Sequence, residues 1–256
     1  MKKLKNSIKR YKYQFDFARR VFKDNTFFQT YKISKEEGRK KYSRTEIISF
    51  LLVFTAGENY LEICFRNPDD NFNKIKCKNK YSVDPGIEFK KNPVDYKTTS
   101  DGFFKEMHAE NANFPFANKF DVIFIDGLHL ADQVEKDILN SLVFIKDSGF
   151  IVVHDCNPPT EFHARESFSF RNSPARGFWN GTTWKAFYKF RYHNELYSIC
   201  FDTDWGVGVI SKTKHPGFNI LTLPVKNPYF EFKSLHKNKK ENLNLQSFES
   251  WKRKIK

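Results

Sequence analysis

No stretch of this 256-residue sequence stays apolar for the ~20 residues that a helix needs to cross a bilayer. The most apolar helical run, 47–56 (IISFLLVFTA), has about half that length. The lysine-rich first residues lead into Tyr, Phe and Arg instead of the apolar segment of a signal peptide. Cysteine is equally sparse. Cys64, Cys77, Cys156 and Cys200 form no CxxC pair and fall short of the density of a secreted disulfide scaffold, so reduced thiols in a cytoplasmic protein are the expectation. With 39% hydrophobic and 17% aromatic residues, the chain has material for one ordinary core and hardly for two.

Acidic charge is in deficit as well. Lys and Arg number 44 against 30 Asp and Glu, and the net +14 raises nucleic acid or an anionic membrane as partner. The distribution of that charge alters the inference. Residues 1–41 carry 14 basic and 4 acidic side chains and residues 226–256 carry 9 and 3, whereas the residues between hold 21 and 23. The middle of the chain is nearly neutral, and the basicity belongs to its ends.

In the first segment Leu4, Ile8, Tyr11, Phe15, Ala18 and Phe22 recur at steps of four and three, with Lys5, Lys9, Arg10, Lys12, Arg19 and Arg20 on the other faces. Such a basic amphipathic helix packs on its own domain, on a second copy in a homo-oligomer, or on an anionic surface or nucleic acid. Residues 34–42 read as a charged connector, and 44–57 as a second, more apolar helix closed by a glycine. From residue 59 onward, short apolar runs alternate with helical stretches, the pattern of parallel strands joined by crossover helices. Strands are expected at 60–65, 81–84, 120–126 and 150–154. Ala131, Val134, Ile138, Leu142 and Ile145 mark a crossover helix between the last two. The stretch 156–181 has no period, and a loop that long after a strand is a functional candidate. A helix at 182–192 and a hairpin of 196–201 with 207–211 follow, and the basic residues past 226 read as a partly disordered tail. The expected architecture is α/β: a helical extension 1–58, a doubly wound, mainly parallel sheet in 59–225, and a tail 226–256.

In an open sheet of this kind, ligands sit beyond the carboxyl ends of the strands. There the sequence delivers carboxylates and histidines. The first strand carries Glu62, the second ends in Asp84, the third in Asp126 with His129 just beyond, and the fourth in His154 and Asp155 followed by Asn157. An acidic residue about 20 positions after the first strand is where this architecture holds the ribose of a nucleotide-type cofactor. Asp126 and Asp155, at the ends of neighbouring strands with His154 or Asn157 nearby, suit Mg²⁺ better than zinc, since no cysteine pair accompanies them. His129 is a candidate general base, with a hydrogen-bonded turn residue as the plainer alternative.

The segments YLEICFRNPDDNF, VDP, TTSDGFF, FDVIFIDGLHLADQVEKDILNSLVFIKDSGFIVVHDCNPP, WNGTTWKAFYKFR and DTDWGVGVI resemble class I S-adenosylmethionine-dependent methyltransferases. More narrowly, they are similar to the branch that includes metal-dependent sugar O-methyltransferases. The resemblance covers about residues 59–212, and FIDGLH and HDCNPP are its most specific parts. It implies a Rossmann-like sheet with an antiparallel last strand. It also implies S-adenosylmethionine over the first two strands, with Glu62 and the turn at Cys64 near the methionine part. Asp84 would then bind the ribose, Ser100 and Asp101 would lie beside the adenine, and Asp126 near the methyl-donor end. By the same similarity Asp126 and Asp155, with His154, would hold a metal ion such as Mg²⁺, and His129 would take the acceptor's proton.

One departure stands out. Where the family's first motif has glycines, this sequence has Cys64 and Pro68. An O-methyltransferase of a sugar, glycan or other hydroxylated small molecule is the leading expectation; a catalytically silent binding protein of the same fold is the alternative. A nucleic-acid methyltransferase is disfavoured, because Asn157, Pro158 and Pro159 are followed by Thr160 and Glu161 and not by the aromatic of an amino-methylation signature. Phe178, Trp179, Trp184 and Trp205, with Asn180 and Asp204, are candidates to line an acceptor pocket.

Overall fold

The computed structural model describes residues 2–64, 67–87, 93–109, 119–170, 172–222 and 226–255. Three helices come first: α1 (Lys2–Lys23), α2 (Asn25–Glu37) and α3 (Arg44–Phe54). There follow β1 (Asn59–Ile63), β2 (Asn79–Val83), α4 (Ser100–Met107), β3 (Phe120–Ile125), α5 (Ala131–Phe144) and β4 (Ile145–Val153). The chain continues through α6 (Thr183–Phe190), β5 (Tyr197–Phe201), β6 (Val207–Ser211), α7 (Phe232–Lys237), α8 (Lys239–Asn242), β7 (Leu245–Gln246) and α9 (Phe248–Lys254). Phe65, the last residue of the first expected strand, lies outside the described residues.

The seven strands form one sheet in the order β2-β1-β3-β4-β6-β5-β7. β1 to β4 run parallel, and β6 is antiparallel to both of its neighbours. This is the Rossmann-like, mainly parallel sheet with a late antiparallel strand that the sequence led us to expect. β7, parallel to β5, was not foreseen, because two residues are too short to show a period.

Both faces of the sheet are covered, which explains why its strands read as continuous apolar runs. Leu61, Ile63, Phe103, Ile138 and Phe187 belong to the core on one face. On the other, α3 contributes Ile47, Ile48, Leu51 and Leu52 against Tyr60, Val122 and Phe124. α3 starts sharply because Ser43 and Glu46 form a reciprocal capping box. That cap fixes where Arg44, the first helical residue, points.

Two expectations about the ends need correction. The charged stretch 34–42 is not a connector throughout, since α2 runs to Glu37 with Ser34 and Glu37 buried. The charges concealed a packed face. Residues 232–254 are folded, with Leu235, Leu243, Phe248 and Trp251 buried, so the segment read as a partly disordered tail belongs to the core. Its lysines lie between these anchors, and composition averages over the two.

α2 is tied down by a buried histidine. The Ser34 hydroxyl donates to the Thr30 carbonyl at 2.8 Å, so Nε2–H of His163 donates to Ser34 Oγ at 2.9 Å, and Thr160 donates to Nδ1 at 2.9 Å. Burial lowers the pKa of His163 to about 4. The unfolded chain therefore binds a proton that the native state excludes. This contribution is fully present above about pH 6.5 and is lost as pH falls toward 4, by up to about 3 kcal/mol. Urea unfolding of wild type and His163→Gln at pH 7 and pH 4.5 checks this. The stability gap between the two proteins should close or reverse at the lower pH, and a gap independent of pH would rule the linkage out.

Candidate active site

Strand register builds the site. Glu62 pairs with Ser82 and Ile63 with Val83, so Cys64 and Asp84 come side by side one step past the strand ends. Ile63 pairs with Ile125 and Ile125 with Val153, which sets Asp126 beside Cys64 and His154 beside Asp126. Backbone hydrogen bonds hold the row: Cys64 N–H to Val83 O at 2.8 Å, Asp126 N–H to Ile63 O at 3.2 Å, and His154 N–H to Ile125 O at 3.0 Å. Asp84, Cys64, Asp126 and His154 thus line the carboxyl edge of four parallel strands. Asp121, at the opposite end of β3, plays a structural part, accepting the Glu58 and Asn59 amides and pairing with Lys146.

At the β3–β4 end the side chains converge. His154 Nδ1 lies 3.0 Å from Asp126 Oδ1 and 3.3 Å from Asp155 Oδ2, and its Nε2 lies 3.4 Å from Asp204 Oδ1. His129 places Nδ1 3.2 Å from Asp155 Oδ2 and 3.2 Å from the Trp179 carbonyl, with Nε2 3.5 Å from Asp126 Oδ1. The Trp179 ring stacks on the His129 ring at 5.1 Å. Asn180 donates to Asp155 Oδ1 at 2.8 Å. Burial opposes charge on Asp126, His129 and His154, but the opposite charges facing them outweigh it. The His154 imidazolium, His129 and Arg44 hold the Asp126 carboxyl well below its usual range, and Asp126 and Asp155 raise both imidazoles.

Arg44 is the residue that sequence reasoning missed. Its guanidinium reaches from the first turn of α3 to within 3.7 Å of Asp126 Oδ2, 3.5 Å of Asp204 and 3.3 Å of His154 Nε2. The Arg44 amide donates to Asp204 at 2.6 Å, and His154 with Arg44 overcomes burial to bring Asp204 to about 2. No local pattern marks an arginine at a helix start as part of a site 80 to 160 residues away. Three polar atoms here are buried without a hydrogen-bond partner: Arg44 Nε, Asn157 Oδ1 and Asn180 Oδ1. Unmet polar groups at one place in a folded protein point to a ligand.

Backbone strain collects here too. Cys64, His129, Asp155, Asp204 and Trp205 have φ of 64°, 52°, 60°, 44° and 64°, the left-handed region that side chains disfavour. Gly181, at φ 62°, lets the long loop approach; a Cβ there would lie 2.1 Å from the His129 carbonyl oxygen. Cys64 sits in a conformation that glycine adopts without steric cost. Its thiol is turned against Gly127, where a Cβ would come within 2.6 Å of Sγ, and burial pushes the thiol pKa up. The missing Cβ at residue 127 thus makes room for the Cys64 side chain.

The other expected cofactor residues are more dispersed. Glu62 is buried inside β1 and accepts from Tyr60 at 2.6 Å and Asn71 at 2.7 Å, while Thr45 of α3 donates to Asn71 at 2.7 Å. Burial raises Glu62 to about 7 against these bonds. Ser100 and Asp101 open α4 and accept from Gln133 of α5, which links them to that helix and not to the histidine cluster. Of the aromatic candidates, Trp184 is core, and Phe178 stacks on Trp205 at 5.3 Å. Beside Asp204 opens a cleft of ≈ 510 Å³, lined by Glu37, Gly38, Lys40, Lys41, Tyr42, Ser43 and Glu46.

A family model described as a methyltransferase domain matches residues 76–156. The matched stretch contains Asp84, Ser100, Asp101, Asp126, His129, His154 and Asp155, and Glu62 and Cys64 precede it. No curated protein matches the chain. Among solved structures the chain matches the O-methyltransferase TomG from Streptomyces achromogenes in complex with SAM, at 10% identity and a TM-score of 0.45, covering 75% of this chain and 91% of that one. The SAH-bound methyltransferase PaMTH1 of Podospora anserina matches at 14% identity and a TM-score of 0.44, over 75% and 89% of the two chains. An O-methyltransferase from Bacillus cereus in complex with SAH matches at 13% identity and a TM-score of 0.39, over 73% and 89%. What the matched segment contributes is therefore a methyltransferase-type stretch of sequence that carries the carboxylate and histidine row.

Proposed function

We propose that this protein is an S-adenosylmethionine-dependent methyltransferase that methylates a hydroxyl of a sugar, glycan or other polar small molecule. The observation that carries the reading is the row Asp84, Cys64, Asp126 and His154 along one sheet edge, continued by His129 and Asp155. When bound, S-adenosylmethionine supplies a methyl group on a sulfonium, open to in-line attack by an oxygen.

The chain's own residues have three tasks. Asp84 binds the ribose hydroxyls, and Glu62 faces the ammonium of the methionine part. His129 takes the acceptor's proton: Asp155 and the Trp179 carbonyl hold Nδ1–H, which leaves Nε2 as the accepting atom. Its 3.5 Å separation from Asp126 is too long for a firm hydrogen bond. Arg44 and Asp204 join this corner to the cleft, whose lysines, carboxylates and Tyr42 suit an acceptor rich in hydroxyls.

Asp126, Asp155 and His154 offer ligand atoms within 4.8 Å of one another; the two carboxylates are hard oxygen donors of the kind that Mg²⁺ takes, and His154 would join them only after losing the proton that they stabilise. A divalent ion held there would add Lewis acidity that lowers the pKa of the acceptor hydroxyl. Arg44 already places a positive charge beside the same carboxylates, so its removal should strengthen any such binding.

Isothermal titration with S-adenosylhomocysteine, with and without Mg²⁺, tests the reading. Binding is expected in the micromolar range, and its absence under both conditions would favour the silent alternative suggested by Cys64 and Pro68. Glu62 adds a signature. At pH 7 a carboxyl with pKa about 7 is half protonated, and the ammonium of the ligand's amino-acid part placed against it favours its ionised form. Up to about half a proton should be released per ligand bound, read from the dependence of the observed enthalpy on the buffer's ionisation heat. Glu62→Gln should abolish that release; an unchanged release in the variant would assign the proton elsewhere.

A further inference from the structure

α1 is built like a rod with one apolar stripe, and the described residues of the fold leave that stripe bare. Between Lys5 and Lys23 only Asp16 and Val21 are even partly shielded. Ile8, Tyr11, Phe15 and Phe22 are 59%, 70%, 70% and 92% exposed, although they are the residues whose spacing puts them on one face. No other helix described here exposes such a row. The helix follows directly into α2, which is anchored through His163, so α1 extends from a fixed base.

The charges say what the stripe faces. α1 has nine basic residues against Asp16 alone. Lys5, Lys12 and Arg19 recur every seven residues along one flank of the stripe, and Arg10 lies on the other. Long cationic side chains at those positions can lay their stems along an apolar surface while their heads reach anions beside it. Two copies packed stripe to stripe would bring these like-charged flanks together, with one acidic residue per helix to relieve them. On nucleic acid the phosphates would meet the cations, but the aliphatic part of the stripe would stay in water. An anionic lipid surface satisfies both halves at once, burying the apolar stripe below the headgroups and neutralising the flanks.

We propose that α1 docks the protein on an anionic membrane surface, lying in the plane of the headgroups with Ile8, Tyr11, Phe15 and Phe22 inserted. The inference is independent of the methyl-transfer reading, and its test measures no activity.

The test is flotation of the full-length protein with vesicles of phosphatidylcholine containing about 30 mol% phosphatidylglycerol, against vesicles of phosphatidylcholine alone, at about 0.1 M salt. Binding should be at least tenfold stronger to the anionic vesicles and should weaken at about 1 M salt. An Ile8→Asp, Phe15→Asp variant should lose at least tenfold in binding while keeping the wild-type melting temperature, because both side chains lie outside the core. Equal or negligible binding to the two vesicle types overturns the proposal. So does a wild-type dimer in sedimentation equilibrium that the variant abolishes, which would make the stripe a contact between copies. Tighter binding of a single-stranded oligonucleotide than of the anionic vesicles, lost in the variant, overturns it equally.

Discussion

Asp84→Ala is expected to weaken binding of S-adenosylhomocysteine by about 100-fold, measured by isothermal titration, with the melting temperature nearly unchanged. The size follows from two charge-assisted hydrogen bonds to the ribose, each contributing about 1.5 kcal/mol or somewhat more. Register makes the residue suitable, because Asp84 stands beside Cys64 at the open edge and not inside the strand. Its Oδ1 accepts the Gly86 amide at 2.5 Å, a bond that orients the carboxylate within its own turn. Ser100→Ala provides the contrast. The Ser100 hydroxyl already receives Gln133, so its loss should change affinity only a few-fold. A change below about threefold for Asp84→Ala would remove the ribose assignment, and with it the main link between the sheet edge and the cofactor.

The second large effect concerns stability. Trp251→Ala should lower it by about 3 to 5 kcal/mol, the range for deleting a buried large aromatic. Trp251 is fully buried on the α3 side of the sheet, with the rings of Phe50, Phe201 and Phe218 at 5.8, 5.2 and 5.8 Å, and its indole N–H donates to the Pro216 carbonyl at 2.7 Å. Tyr42 hydrogen-bonds Glu249 of the same helix, so α9 also fastens the segment that leads into Arg44. The melting temperature should fall by roughly 10 °C or more. Trp251→Phe, which keeps a ring and loses the Pro216 bond, should cost less than half as much. A shift of only a degree or two for Trp251→Ala would mean that the C-terminal helices are an appendage after all.

These two results bear on different kinds of information. Asp84 and Asp126 were readable because an apolar run that stops at a carboxylate places it at a strand end, and neighbouring parallel strands end together. His129, His154 and Asp155 followed from the same logic. Trp251 was not readable, because a tryptophan among lysines and glutamates has the same local pattern whether it caps a core or hangs in solvent. Cys64 shows the limit from the other side. The sequence marks it as a departure from the glycine of the family it resembles, but only the structure shows that the missing Cβ at Gly127 makes room for its side chain.

Local periodicity and the positions of polar residues determined the alternation of strands and helices, the carboxyl edge as the place for chemistry, and the concentration of positive charge in the ends of the chain. Each of these depends on residues within about one element of each other. Tertiary structure decided that Arg44 and Asp204, 160 residues apart, meet at His154, that the last helices complete the core, and that the apolar stripe of α1 finds no partner among the described residues. A period states which face of an element is apolar. What covers that face depends on contacts between distant segments, and those are set by the packing of the whole chain.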